Sequence, residues 1–314
     1  MSRQGKFEEF EGDSSEITVE EALKFIKRKT KGDKPIFTVI WFGTPHRPFV
    51  ASEGDKAPFN KLDKNSQNHY GELVAMDRSI GALRKGLRDL GIEQNTLVWF
   101  CSDNGGLNKI VPDTVGGLRG NKNTLFEGGL RVPSIVEWPA VITEARITEF
   151  PTVTMDIFPT IAEIVGLPDY ALLKPSDGIS IEKLFKKEAG YRDKAIPFRH
   201  MGRGAMIHKG FKLINLDLEK DEYELYDLSN DGTESVDIFT TRPEIAKSLL
   251  KKYKAWHESV DASVSGKDYP EGLVMDNNPE PQRRWPGLDE YEPYIEQFKQ
   301  RPEYSKEIER ERKK

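Results

Sequence analysis

The chain has 314 residues, 37% hydrophobic and 32% charged, with 16 Phe, 10 Tyr and 5 Trp, enough apolar and aromatic content to exclude a disordered chain and to fill one large or two smaller domains. The balance of 47 Lys and Arg against 52 Asp and Glu, with no large basic tract before the tail, argues against nucleic acid as a partner, and a single Cys excludes a disulfide framework or a multi-Cys zinc site. No apolar run approaches the ~20 residues of a membrane span, and the acidic amino-terminal stretch lacks the apolar core of a secretory signal.

Thr18-Val19-Glu20-Glu21 reads as a capping box, and Val19, Ala22, Leu23 and Ile26 continue at helical spacing into a basic cluster from Lys27 to Lys31. Ile36-Phe37-Thr38-Val39-Ile40-Trp41-Phe42 is too short for a helix and predicts a strand buried on both faces. Leu73, Met76, Ile80, Leu83, Leu87 and Leu90 share one face of a long helix that Gly91 can close. Thr96 to Cys101 and Ser134 to Trp138 predict two more strands, the second preceded by Pro133, and Met155 to Val165 a short helix ended by Gly166. This alternation predicts an α/β fold, a mostly parallel (mixed) sheet flanked by helices.

Near Gly190 the texture changes. A hairpin is expected from Ala205 to Ile214 around Lys209-Gly210, then a strand from Tyr223 to Leu228. Thr241-Arg242-Pro243-Glu244 suggests a second capping box, before a helix whose Ile245, Leu249, Tyr253, Trp256 and Val260 share a face. The expected layout is residues 1–190 as the α/β domain, 191–265 as a small α+β subdomain with an antiparallel sheet, and 266–314 as an extended tail.

In open α/β sheets, functional groups collect past the carboxyl ends of strands. The first expected strand delivers His46 between Pro45 and Pro48, either a proton-transfer group or a surface histidine in a stiff turn. The second delivers Asp103-Asn104, two oxygen donors that suit a hard cation and equally suit a turn. Lys122, in a Gly- and Asn-rich loop, is either an anion ligand or a solvated lysine. Cys101 reads as a small buried hydrophobe, and His257 as structural.

Taken together, residues 42–48, Tyr70 to Asp77, 95–106 and Leu118 to Pro133 resemble consecutive segments of the formylglycine-dependent sulfatases, arylsulfatase-like members of the alkaline-phosphatase-like superfamily. The distinctive motifs are Ser102-Asp103-Asn104-Gly105-Gly106 and the Arg-Gly-x-Lys-x-Thr-x-x-Glu-Gly-Gly-x-Arg-x-Pro run from Arg119 to Pro133; Asp156-Ile157-Phe158-Pro159-Thr160, Asp177 to Ser180 and Glu224 to Leu228 continue the match.

The resemblance implies hydrolysis of sulfate esters, with Asp103 and Asn104 as two ligands of a divalent cation, usually Ca2+ with Mg2+ possible. It implies a substrate contact for Lys122 at the sulfate and leaving oxygen, and a general-acid role for His46 at the leaving group. Glu127 and Arg131 match family positions expected to be structural. The family's nucleophile is a formylglycine made in a Cys/Ser-x-Pro-x-Arg motif, which these 314 residues do not contain. The chain therefore resembles the C-terminal portion of a sulfatase, expected to be inactive alone and to expose an apolar edge or face of its sheet.

Two alternatives are a non-catalytic remnant that binds sulfated or anionic ligands, and a related phosphate or phosphonate ester hydrolase. The substrate implied is a sulfated small molecule or carbohydrate, as for bacterial sulfatases with similar tails, and His200 and Arg203 are positional candidates for contacting it. The family is mostly exported or lysosomal, so a periplasmic or secreted location is expected for a complete protein.

Overall fold

Behind a short antiparallel ladder of β1 (Ser2–Arg3) and β2 (Lys6–Phe7), Asp13 starts the first helix, α1 (Ser14–Lys29), by accepting the Ser15 N–H at 2.7 Å. The cap thus lies five residues before the expected one. Thr18 sits inside the helix, where its hydroxyl donates to the Ser14 carbonyl at 2.7 Å. The computed structural model describes residues 2–3, 6–172, 174–269 and 285–312. They fall into two compact units, Met1–Gly86 with Met275–Lys314, and Leu87–Val274.

In the first unit, Ile17, Val19 and Ile26 of α1 are buried. No strand forms over 35–43. The segment joins none of the described sheets, and Phe37, Val39 and Trp41 are 69%, 57% and 86% exposed while their alternate neighbours are half-buried. The expected burial on both faces is therefore corrected: an apolar run makes a strand only where a neighbour takes up its backbone groups. After α2 (Glu53–Lys56), the long helix α3 (Lys64–Asp89) starts well before its leucine repeat and closes through Gly91 at φ +68°.

In the second unit, β3 (Val98–Cys101) leads through a loop and the single turn α4 (Glu127–Leu130) to β4 (Ser134–Glu137). β3 and β4 pair antiparallel, Val98 opposite Glu137 and Cys101 opposite Ser134. The parallel order expected of the α/β part is thus not formed among the described strands. Ile181, Leu184 and Phe185 form a core against this ladder, with Trp99 and Trp138 edge-on to the Phe185 ring. A 3-10 turn at Thr154–Asp156 precedes α5 (Ile157–Ile164). Asp156 is fully buried and accepts both Arg192 terminal nitrogens, at 2.6 and 3.0 Å, with the backbone N–H groups of Val153 and Ile179.

Four antiparallel strands follow in spatial order: β5 (Ile196–His200), β6 (Arg203–His208), β7 (Phe211–Asn215) and β8 (Glu224–Asp227). Lys209 and Gly210, at φ +52° and +80°, make the tight hairpin expected of that dipeptide. Met206, Leu213 and Leu225 face α6 (Pro243–Val264), which buries Ala246, Leu249 and Tyr253 on them. The expected capping box at Thr241 does not form. Arg242 is the N-cap without a side-chain bond, and the Thr241 hydroxyl donates to Ile238 O. On the other sheet face, Ala205, Ile214 and Tyr226 pack against Leu125 and Phe126.

From residue 285 the described part of the tail belongs to the first unit and is helical rather than extended. α7 (Ile295–Lys299) and α8 (Pro302–Arg312) bring Phe298 and Tyr304 against the Trp285 ring. Residues 270–284 lie outside the described residues.

Candidate active-site loops

Two loops of the second unit cross at the end of β3. The Gly105 N–H donates to Gly129 O, and the Lys122 N–H to Gly106 O, each at 2.9 Å. The backbones touch: a methyl group on Gly105 would strike the Gly128 carbonyl, and one on Gly128 the Gly120 carbonyl. This is the physical reason for two Gly-Gly pairs in facing motifs. Gly105→Ala should therefore destabilise the unit by about 1–3 kcal/mol, whereas Gly81→Ala, in α3 with open space around it, should stabilise by up to about 1 kcal/mol. Urea midpoints of the two variants check this, and a neutral Gly105→Ala would refute the crossing.

The crossing places Asp103, Asn104 and Lys122 on adjoining turns. Asp103 is exposed, and its carboxylate accepts no hydrogen bond among the described residues. Asn104 donates its amide to Gly105 O at 2.9 Å, leaving its side-chain oxygen for another partner. The Lys122 ammonium is half-buried and has no hydrogen bond or ion pair among the described residues. Asn123 follows at φ +72°, a left-handed conformation that asparagine tolerates. Cys101 is half-buried; burial and the nearby Asp103 push its thiol up, away from a nucleophile's range.

What holds the Lys122 loop in place is a set of buried charges that sequence reasoning did not find. Lys212 of β7 is fully buried, 3.0 Å from Glu127 and 2.8 Å from Glu234. Glu234 also accepts the Glu127 N–H at 2.6 Å. Arg119 donates to Tyr226 Oη at 2.9 Å and Glu234 O at 2.7 Å, with its guanidinium over the Phe126 ring. Arg203 adds a bond to Asn123 O at 3.1 Å. Glu127 is thus structural, as expected. Glu234 carried no sequence signal beyond its place after a turn, and Lys212 looked like one polar residue in an apolar strand.

His46 belongs to the first unit. It is exposed, its N–H donates to Gly43 O at 3.0 Å, and Nδ1 lies 2.8 Å from Arg47 O. A carbonyl only accepts, so Nδ1 carries a proton and Nε2 is the end left for chemistry. His200, on β5, is exposed.

The chain belongs to the sulfatase family. The family model described as "Sulfatase" matches residues 1–167, and one described as "N-sulphoglucosamine sulphohydrolase, C-terminal" matches residues 120–259. A protein named "Sulfatase" from Formosa agariphila is 31% identical over 268 residues, covering 74% of this chain and 48% of its own length. Human N-acetylgalactosamine-6-sulfatase is 35% identical over 162 residues, covering 50% of this chain and 30% of its own length. The crystal structure of Ps i-CgsB superposes with a TM-score of 0.73 at 25% identity, over 81% of this chain and 56% of that one, and a structure of Ps i-CgsB with k-i-k-neocarrahexaose with a TM-score of 0.72 at 24% identity. The chain thus spans about half the length of the Formosa sulfatase and of Ps i-CgsB.

The neighbours carry the alkaline-phosphatase-like fold, and sulfatases use metal ions. Among the described residues no group of three or more His, Cys, Asp or Glu could hold a metal. Asp103 and the Asn104 side-chain oxygen are hard donors of the right kind, but two fall well short of the roughly six oxygens Ca2+ takes. These residues fit part of such a site and do not complete one. No helix among the described residues is long and apolar enough to cross a membrane.

Proposed function

We propose that this chain forms the leaving-group side of a sulfatase that hydrolyses sulfate esters of saccharides. The carrying observation is the loop crossing, which fixes Lys122 and Asp103-Asn104 side by side with their charged ends uncommitted. Lys122 would bind the sulfuryl oxygens, whose charge shifts toward the ester oxygen as the S–O bond breaks. By the family resemblance alone, His46, held through Nδ1 in the first unit, is assigned the part of proton donor from Nε2 to a leaving alcohol. Asp103 and Asn104 would supply part of the shell of a divalent cation, Ca2+ by the hardness of its donors, which supplies charge stabilisation when bound. The nucleophile is assigned to family sequence not contained in these 314 residues. A saccharide substrate is supported by the oligosaccharide in the Ps i-CgsB complex and by the amino-sugar sulfate that names the human relative.

The test uses the chain alone, titrated with inorganic sulfate and followed by amide NMR, beside an assay with 4-nitrophenyl sulfate. Sulfate should move the signals of residues 119–124 in the wild type and not in Lys122→Ala, and turnover should stay at background. Sulfate shifts that survive Lys122→Ala, or turnover by the chain alone, would overturn the assignment.

A further inference from the structure

The turn that presents His46 is tied at both ends to buried polar groups. At its start Ser15 of α1, 1% exposed, donates its hydroxyl to Thr44 Oγ1 at 3.1 Å. At its far end α3 supplies two acceptors: Glu72 takes the Val50 N–H at 2.6 Å, and Asn68 takes the Ala51 N–H at 3.1 Å. Asn68 also donates to Lys64 O at 2.8 Å, which fixes which way its amide faces. Gly71 lets the segment lie directly on the helix, since a side chain there would press on Ala51. Between the anchors, Pro45 and Pro48 each lock φ, so displacement at Val50 is passed on toward His46 rather than absorbed.

Glu72 is an unusual choice for such an anchor. It is 6% exposed, and its second oxygen, Oε2, has no hydrogen-bond partner. No cation is committed to it. On its own helix, His69 is buried with an unpartnered Nδ1, and Arg78 is engaged by Glu16 and Asp55. On α2, Asp55 is held by Arg78, and Lys56 pairs with Glu53 at 2.7 Å. Asp13, before α1, adds a like charge that disfavours ionisation, and Arg47 lies over the Phe49 ring. A neutral glutamine would make the Val50 contact without burying a charge.

We propose that Glu72 is a positioning residue for His46, its carboxyl gripping the Val50 amide and setting where the imidazole is presented, more firmly when ionised than when protonated. The proposal rests on His46 being the leaving-group acid. Burial pushes the Glu72 carboxyl up to about 7, with the Asp13 charge adding and the Val50 N–H opposing. A carboxylate accepts roughly twice as strongly as a neutral carboxyl, so the grip tightens as pH rises through that value. The stability sign is opposite: the folded form holds the proton more tightly than the unfolded one, so stability falls between about pH 4.5 and 7.

The test is NMR on the full chain from pH 5 to 9. The Val50 amide should move through a midpoint near 7, and the His46 ring signals should carry the same midpoint. Glu72→Gln should abolish that midpoint in both places and speed Val50 amide exchange at pH 8 by about tenfold, the equivalent of one charge-assisted bond's advantage. His46→Gln should keep the Val50 midpoint, which assigns it to Glu72. Asn68→Ala should speed exchange at Ala51 and leave the midpoint in place. A Val50 amide without that midpoint, or a His46 ring indifferent to Glu72→Gln, would overturn the proposal. None of these readouts uses turnover, so a flat result would leave the sulfatase reading standing, and failure of His46 as an acid would leave the coupling standing.

Discussion

Replacing Lys212 by Met should destabilise the second unit by about 3–5 kcal/mol, the usual consequence of removing one partner from a buried ion group. Lys212 and Glu234 are both inaccessible to solvent and Glu127 nearly so. With the ammonium gone, two carboxylates face each other in a low-dielectric interior with only the Glu127 N–H to share, and at least one must take up a proton. The loss should appear in urea unfolding as a shifted midpoint with an unchanged slope. Because Glu127 closes the loop that begins at Arg119, the sulfate-induced shifts at Lys122 should shrink in the folded variant as well. The triple change Lys212→Met, Glu127→Gln, Glu234→Gln removes all three charges and should recover most of the stability. A cost below about 1 kcal/mol for Lys212→Met would show that the group is not dry.

Asp156→Ala should cost about as much, again 3–5 kcal/mol, but without touching the loops. The substitution takes the counter-charge from a guanidinium whose side chain is 3% exposed, leaving it only backbone carbonyls, and removes the acceptor of two backbone N–H groups, at Val153 and Ile179. Each orphaned donor adds its own desolvation cost of about 1–3 kcal/mol, partly offset by relaxation. Adding Arg192→Met should restore part of the loss. Under conditions where Asp156→Ala remains folded, sulfate should still move the Lys122 loop. That pairs it with Lys212→Met as a contrast: similar loss of stability, different effect at the site. If Asp156→Ala also silenced the loop, the two clusters would be energetically one.

The parts legible in the sequence were those set by local chemistry. Lys209-Gly210 can hardly do anything but turn, Gly91 and Gly166 end helices at positive φ, and the leucine repeat of α3 marks its buried side at Leu83 and Leu87, while Leu73, Met76 and Ile80 are only half-buried. The loop motifs at 102–106 and 119–133 were legible through their family resemblance; the backbone crossing that their glycines permit was not. What remained hidden depends on residues far apart in the chain. The run at 36–42 has the composition of a strand, but a strand needs a partner, and propensity cannot supply one. The Thr18 cap lost to Asp13 because either residue can cap, and packing of Ile17 and Val19 favoured the earlier start. Lys212 meets Glu127 and Glu234 only after the sheet forms, so no spacing rule connects them.

The Lys212 group has one more consequence, which concerns salt. Ion pairs at a surface are screened over about 8 Å at physiological ionic strength, and far more strongly in brine. The three charges that anchor the Lys122 loop are sealed from solvent, so mobile ions should barely weaken them. Lys122 itself is partly open, and its attraction for an anion should fade as salt rises. The scaffold and the ligand contact are thus separated in their response to electrolyte: in concentrated salt this site should bind sulfate less tightly while keeping its shape.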